Sequence, residues 1–247
     1  MPHTPQNKLI LALDVATATE ARELYFKLRE IVGAFKIGSQ LFTAEGPRFV
    51  RELVAAGARI FLDLKSHDIP NTVASAGISA SRLGVWMFNV HASGGSEMMR
   101  RTIAAVSETS AREGFSRPLV IGVTMLTSSD KSTLVETGID CEPEERVAML
   151  ARLSETSGLD GVVASPLEIG AVRAAVKKED FVIVTPGVRP AGSSLDDQRR
   201  VMTPQGAVKA GADFVVVGRA VLSATDPIRA AIAILQEMKA GLADGFE

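Results

Sequence analysis

Eight short apolar runs alternate along the chain with longer segments whose apolar residues recur at helical spacing. In the first long segment, 19–31, Ala21, Leu24, Leu28 and Ile31 form one stripe behind a threonine cap. Nearly continuous apolar strands separated by amphipathic helices are typical of a parallel sheet covered by helices. The predicted strands are 8–14, 34–38, 59–65, 86–91, 119–124, 161–164, 181–185 and 214–217.

Eight repeats of strand and helix are most simply accommodated by a closed (β/α)8 barrel, the TIM barrel. The alternative is an open, doubly wound α/β sheet. A dinucleotide-binding sheet of that kind carries Gly-x-Gly-x-x-Gly after its first strand, whereas the first strand here is followed by DVATATEA. We therefore expect the closed barrel.

The length and composition are those of one large α/β domain. The chain has 247 residues, of which 46% are hydrophobic and 23% are charged, and α/β barrels commonly reach this length as one domain. No Pro/Ser-rich linker is wide enough to separate two domains. We expect a single domain over residues 1–247, with loose termini at 1–7 and 241–247.

The charge and the lone cysteine limit the possible partners. With 27 basic and 29 acidic residues the net charge is -2, which argues against a surface that binds nucleic acid but permits a local cationic pocket. Cys141 cannot form an internal disulfide, the first residues lack an apolar signal core, and no apolar run approaches the roughly 18 residues that span a bilayer. We expect a cytoplasmic protein that binds neither nucleic acid nor membrane.

The predicted strand ends are unusually polar. In an α/β barrel the chemistry lies at the carboxyl ends of the strands, so these residues would face a substrate. They are Asp14, Lys36, Asp63, Lys65, His91, Thr124 and Thr127 at the first five strands, followed by Pro186, Gly187, Arg189, Gly218 and Arg219 at the last two.

The run FLDLKSHDIPNTV places three charged groups where the third strand ends. Side chains two apart in a strand share a face, so Asp63 and Lys65 should be neighbours, and Asp68 follows three residues later. Pro70 then suits the first turn of a helix. The plain alternative is a surface ion pair that caps the turn.

Glycines and arginines after strands 7 and 8 suggest a phosphate site. Gly187 in TPGVRP and Gly218 in VVVGRA would let backbone N–H groups approach an anion, and Arg219 would add a fixed positive fork. The alternative is an ordinary turn with a solvated arginine. His67 and His91 have no acid-rich ligand spacing around them, so we expect neither a metal site nor a cofactor.

Five motifs together resemble a known family. LALDV, FKIG, DLKSHDIPNTV, TPGVRP and VVGRA occur in this order and at the expected strands, over about residues 9–220. With them the chain closely resembles the orotidine 5'-monophosphate decarboxylases. The resemblance implies a TIM barrel that converts orotidine 5'-monophosphate to UMP in pyrimidine biosynthesis, without cofactor or metal, by electrostatic stabilisation of a carbanion.

The resemblance also implies roles for individual residues. Lys36, Asp63, Lys65 and Asp68 would form the catalytic row, with Lys65 as the proton donor to C6. The active unit would be a homodimer with shared sites, in which the partner supplies Asp68, Ile69 and Thr72. The substrate would be bound by Asp14 and Lys36 at the ribose, by Thr127 at the base, by Gln198 between base and phosphate, and by Pro186, Arg189, Gly218 and Arg219 around the phosphate.

Two other functions are compatible with parts of the pattern. Magnesium-dependent sugar-phosphate lyases of the same barrel group share DxKxxD, but they carry an acid on strand 2 where this chain has Lys36. A non-catalytic sensor of phosphate ligands would need the phosphate grip but not Lys65 between two acids. The small polar residues of 188–201 suggest a loop that closes over the site.

Overall fold

All eight predicted strands form, and they close into one parallel barrel in the order in which they occur along the chain. The computed structural model describes residues 4–190 and 202–243. The expected closed barrel is confirmed, and the alternative of an open sheet is excluded. The strands are β1 (Leu9–Ala12), β2 (Ala34–Gly38), β3 (Ile60–Ser66), β4 (Met87–His91), β5 (Leu119–Val123), β6 (Gly161–Val163), β7 (Val182–Thr185) and β8 (Phe214–Val217).

Helices surround the barrel and connect its strands. None of the helices in the described part of the chain is long and apolar enough to cross a membrane. They are α1 (Pro5–Lys8), α2 (Ala18–Leu28), α3 (Ser39–Ala55), α4 (Pro70–Arg82), α5 (Gly95–Glu113), α6 (Lys131–Glu136), α7 (Pro143–Thr156), α8 (Ile169–Ala175), α9 (Pro204–Lys209), α10 (Arg219–Leu222) and α11 (Pro227–Ala243), with 3-10 turns at Ala92–Gly94 and Pro166–Glu168.

Both faces of the strands are buried, which explains their continuous apolar sequences. In β1, Leu9 and Leu11 belong to the large core between strands and helices, whereas Ile10 and Ala12 point into the barrel. The interior is filled by Ile10, Ala12, Ala34, Phe61, Met87, Ile121, Val123, Val163, Val184 and Val216. Continued along β2 and β3, the same alternation directs Lys36 and Asp63 inward above this apolar layer.

Aromatic rings lie at the amino-terminal end of the barrel. The guanidinium of Arg59 lies 3.6 Å from the centre of the Trp86 ring, and that ring meets Phe214 edge to face with 4.9 Å between centroids. Stacked and edge-to-face contacts of this kind stabilise packing beyond the buried area alone.

The ends of several elements differ from the expectation. Helix α2 covers Ala18–Leu28 rather than 19–31, because Thr17 caps it by accepting a hydrogen bond from the Glu20 amide and because the chain must then turn into β2. Residues 5–7 and 241–243, expected to be loose, lie in α1 and α11. Thr4 caps α1, and Gly241 packs so closely on Gln205 that an added Cβ would lie 2.4 Å from its carbonyl oxygen.

Candidate active site

A cavity of about 440 Å³ opens at the carboxyl ends of the strands. Its floor is the top of the apolar barrel interior, including Ala12, Phe61 and Val216. Nine of the residues expected at the site line its wall: Asp14, Lys36, Asp63, Lys65, Thr127, Pro186, Arg189, Gly218 and Arg219. These nine residues therefore lie together at the carboxyl ends of the strands, as predicted.

Four charged side chains form a continuous row across one side of this cavity. Lys36 Nζ lies 3.0 Å from Asp14 Oδ1 and 3.2 Å from Asp63 Oδ2. The other oxygen of Asp63, Oδ1, accepts a hydrogen bond from Lys65 Nζ at 2.8 Å. The sequence of charges is thus acid, base, acid, base, with Asp63 between two ammonium groups.

Burial and charge act against each other in the middle of the row. Burial alone would disfavour the ammonium of Lys36, but the carboxylates of Asp63 and Asp14 outweigh it and raise the pKa of Lys36 above its ordinary value. Burial likewise opposes the charge on Asp63, yet Lys36, Lys65 and Asn89 lower the pKa of its carboxyl. Both groups are therefore ionised at neutral pH.

The backbone of Lys65 is in the left-handed region, with φ of 53°. It is the one non-glycine residue with positive φ within residues 4–190 and 202–243. Such conformations are costly for residues with a Cβ and cluster at functional sites. The Lys65 N–H donates to Asn89 Oδ1 on β4 at 2.8 Å, which holds the backbone in this state.

Gly38, at the end of β2, leaves the space that the Lys36 head group uses. A Cβ at this position would lie 3.1 Å from Lys36 Nζ and 3.4 Å from Asp14 Oδ1. The φ of Gly38 is -92°, which other residues adopt freely, so the glycine matters for room rather than for backbone conformation.

Two histidines lie beside the row. The rings of His67 and His91 are 5.5 Å apart, and burial together with the neighbouring His67 and Lys65 lowers the pKa of His91. His91 is therefore neutral at physiological pH and can accept or donate one hydrogen bond. In the part of the chain that the structure describes, no three His, Cys, Asp or Glu side chains are grouped so that they could hold a metal ion.

Comparison with known sequences identifies the family. A sequence model of the orotidine 5'-phosphate decarboxylase / HUMPS family matches residues 7–234 of the chain. The chain belongs to this family. Orotidine 5'-phosphate decarboxylase of Syntrophotalea carbinolica is 53% identical over 240 residues, covering 97% of this chain and 98% of the relative. The enzyme of Trichlorobacter lovleyi is 52% identical over 238 residues, covering 96% and 97%.

Solved structures agree with this membership. Orotidine 5'-phosphate decarboxylase of Lactobacillus acidophilus is 36% identical, with a TM-score of 0.78 over 94% of this chain and 99% of that one. The structure from Pyrococcus horikoshii is 27% identical, with a TM-score of 0.72 over 94% and 99%. The chain therefore shares its overall fold with solved orotidine 5'-phosphate decarboxylases.

Three residues that the family resemblance assigned to the site lie outside the cavity of their own chain. Asp68, Ile69 and Thr72 are exposed on the segment that leads from β3 into α4, and Ile69 has 67% of its surface exposed. The Asp68 carboxylate accepts the N–H of Ile69 at 2.6 Å. Gln198 and most of the proposed closing loop lie outside the described residues.

Asn89 contacts Asp63 and Lys65 but was not among the residues predicted from the sequence. It lies in the apolar run MFNVH, and Met87 two residues before it points into the barrel. Period-two alternation therefore puts Asn89 on the inner face, where an amide needs partners. A polar residue at an inward-facing position of an apolar strand was the signal that could have identified Asn89 from the sequence.

Proposed function

We propose that this protein decarboxylates orotidine 5'-monophosphate to UMP in pyrimidine biosynthesis. The relatives at 53% and 52% identity are named as that enzyme, and the similarity extends over nearly their whole length. The observation that carries the proposal is the position of Asp63 between the ammonium groups of Lys36 and Lys65. A lysine on β2 at this point favours the decarboxylase over magnesium-dependent lyases, which place an acid there.

The row suits a reaction that develops negative charge on carbon. Loss of CO2 from C6 leaves a vinylic carbanion without an electron sink, so stabilisation has to be electrostatic. Lys65, which forms an ion pair with Asp63, would neutralise that charge and then deliver a proton to C6 as general acid. Unit charges about 4 Å apart interact by roughly 4 kcal/mol at an effective dielectric of 20, which is a useful share of a reaction barrier.

The remaining wall of the cavity suits the rest of the substrate. Strand β7 is four places from β3 in the ring of eight strands. The residues after β7 that are proposed to bind the phosphate therefore lie across the mouth of the barrel from Lys65. We assign Pro186, Arg189, Gly218 and Arg219 to the phosphate, Asp14 and Lys36 to the ribose, and Thr127 to the base. Gln198 is assigned to base and phosphate by family resemblance alone. Binding energy from the remote phosphate can lower the barrier at C6.

We also propose a homodimer whose sites are completed across the interface. Asp68, Ile69 and Thr72 are exposed at the rim and do not line the cavity of their own chain, which suits donation to a neighbouring barrel. Ile69 has the most exposed side chain among the large hydrophobic residues of the described chain, with 67% of its surface exposed, so a neighbouring barrel could bury it there. A cytoplasmic location is proposed with it, since the lone Cys141 requires no oxidising compartment.

The experiment that tests the function is direct. Purified protein should consume orotidine 5'-monophosphate, seen as loss of its ultraviolet absorbance, and the rate should be unchanged in excess EDTA because the proposed chemistry uses no metal. A Lys65→Ala variant is the matched control and should be nearly inactive. Failure of the wild-type protein to turn over the substrate, or activity only with added magnesium, would contradict the proposal.

A further inference from the structure

Asn89 lies behind the charged row, fully enclosed, with both ends of its amide engaged. Only 1% of its surface is exposed. Its Nδ2 donates to Asp63 Oδ1 at 2.6 Å, and its Oδ1 accepts the backbone N–H of Lys65 at 2.8 Å. Asn89 is not among the described residues that line the cavity at the strand ends, so it contacts the row and does not face that cavity.

The contact with Lys65 coincides with an irregularity in the barrel. Pairing between β3 and β4 shifts register, so that the stretch from Leu62 to Ser66 faces only Phe88 to Val90. A bulge of this kind leaves backbone groups of the longer strand without ladder partners and redirects side chains. The Lys65 N–H is one such group, and the side chain of Asn89 supplies its partner from within the shorter strand.

We infer that Asn89 is a positioning residue for the reaction, one that fixes the Asp63 carboxylate and the left-handed backbone of Lys65 with a single amide. The inference rests on the proposed function, because it assigns Asn89 to that same site. Donation from Nδ2 selects the ionised carboxylate of Asp63, and acceptance at Oδ1 keeps the bulge in the form that aims Lys65 Nζ into the cavity.

An amide is the group that can perform both tasks. A side chain of the same size with a carboxylate would keep the acceptor for Lys65 but lose the donor for Asp63. An apolar side chain of similar size would lose both and leave the Lys65 N–H buried without a partner, which is unfavourable. Asn89→Leu and Asn89→Asp therefore separate the two contacts.

Asn89→Leu should reduce the decarboxylation kcat by about 100-fold, the loss expected when a catalytic group shifts by about 1 Å. KM should change by less than about threefold, because the phosphate and ribose contacts do not involve Asn89. Thr102→Val is the matched control: Thr102 is equally buried, and its hydroxyl donates to the Met98 carbonyl within α5. It should keep kcat within about twofold, because the hydroxyl that it removes bonds only to a carbonyl of its own helix.

Asn89→Asp tests the contact with Asp63 through pH. Two carboxyl groups this close share one proton, so at low pH the new acid donates to Asp63 as the amide does. As pH rises that proton is lost and the two carboxylates repel. The kcat of this variant relative to wild type should therefore fall from about pH 5 to about pH 9. Lys36, Lys65 and His91 also face Asp63, but they are present in both proteins.

The outcomes separate this inference from the proposed function. A wild-type protein that does not decarboxylate orotidine 5'-monophosphate refutes the function itself. An active wild type with an equally active Asn89→Leu variant refutes the positioning role. If Asn89→Leu lowers kcat and also raises KM well beyond threefold, or if Thr102→Val lowers kcat equally, Asn89 has only a structural role. Either result also overturns the inference. A pH-independent Asn89→Asp ratio overturns the donation to Asp63.

Discussion

Lys65 holds a charged side chain on a backbone that lysine seldom adopts. A left-handed conformation costs a residue with a Cβ roughly 1–2 kcal/mol. The Asn89 contact and the ion pair with Asp63 offset that cost. An unfavourable backbone conformation thus positions the ammonium group of Lys65. Backbone strain of this kind is typical of functional sites.

The backbone strain can be measured by comparing two truncations. Lys65→Gly and Lys65→Ala both remove the ammonium, and both should be nearly inactive. The glycine variant should be the more stable by about 1 kcal/mol, because glycine adopts positive φ without a steric penalty. The difference in free energy of unfolding, from urea denaturation, isolates the backbone since the lost ion pair is common to both.

Lys36 supplies the control for that comparison. It lies in the regular part of β2, so Lys36→Gly should be less stable than Lys36→Ala by roughly 0.5–1 kcal/mol, the opposite order. Equal stability of the two Lys65 variants, or the same order at both positions, would show that Lys65 carries no strain.

The site could be predicted from sequence as far as its charges, but not as far as their geometry. Asp63 and Lys65 were identified as neighbours because they are two apart at a strand end. The left-handed backbone at Lys65 was not, since it arises from the register shift against β4 and the contact with Asn89. Both depend on a partner strand far along the chain.

At the scale of elements, the end of β2 is shaped for the lysine it carries. Lys36 Nζ is held between Asp14 and Asp63, and a methyl group at position 38 would lie 3.1 Å from it, so the ammonium would have to shift away from that methyl group. Gly38→Ala should therefore displace the ammonium and lower kcat/KM by about tenfold or more, equivalent to about 1.4 kcal/mol of transition-state stabilisation. Steady-state kinetics on orotidine 5'-monophosphate measure this.

Gly170→Ala is the matched control for that substitution. Gly170 lies within α8, and a Cβ there would meet no atom within 4 Å. This control should leave kcat/KM unchanged and raise the free energy of unfolding by roughly 0.5–1 kcal/mol, because alanine is the better helix former. Unchanged kinetics in Gly38→Ala would show that the row tolerates a shifted Lys36.

Elements were predicted well where their own residues decide them and less well at their ends. Short, nearly continuous apolar runs between segments of helical period were enough to find all eight strands. The first strand is Leu9–Ala12 rather than 8–14 because Thr4 caps a short helix that takes Lys8. Helix α4 begins at Pro70 as predicted, since proline suits the first helical turn.

At the scale of the whole molecule, the barrel presents one polar mouth with an exposed segment at its rim. His67, Asp68, Ile69 and Thr72 all face outward there. A single chain's sequence does not specify what covers such a segment, because association depends on a surface and its partner together. The homodimer is therefore the part of the function that most needs its own experiment.

Mixing two inactive variants tests the shared site. In a dimer of Lys65→Ala with Asp68→Asn, the second chain keeps Lys65 and receives an intact Asp68 from its partner, so one of the two sites is complete. Random exchange makes about half of the dimers mixed, which gives roughly one quarter of wild-type activity. If Asp68 served its own barrel, each site in the mixture would lack one group.

A second mixture controls for recovery by any other route. Asp63 and Lys65 line the cavity of the same chain and are joined at 2.8 Å, so Lys65→Ala mixed with Asp63→Asn leaves a defect in both barrels and should stay inactive. Exchange is verified in both mixtures with a tag on one variant. Recovery only with Asp68→Asn would show that each site takes Asp63 and Lys65 from one chain and Asp68 from the other. Confirmed exchange without recovery would assign Asp68 to its own barrel or to no catalytic role.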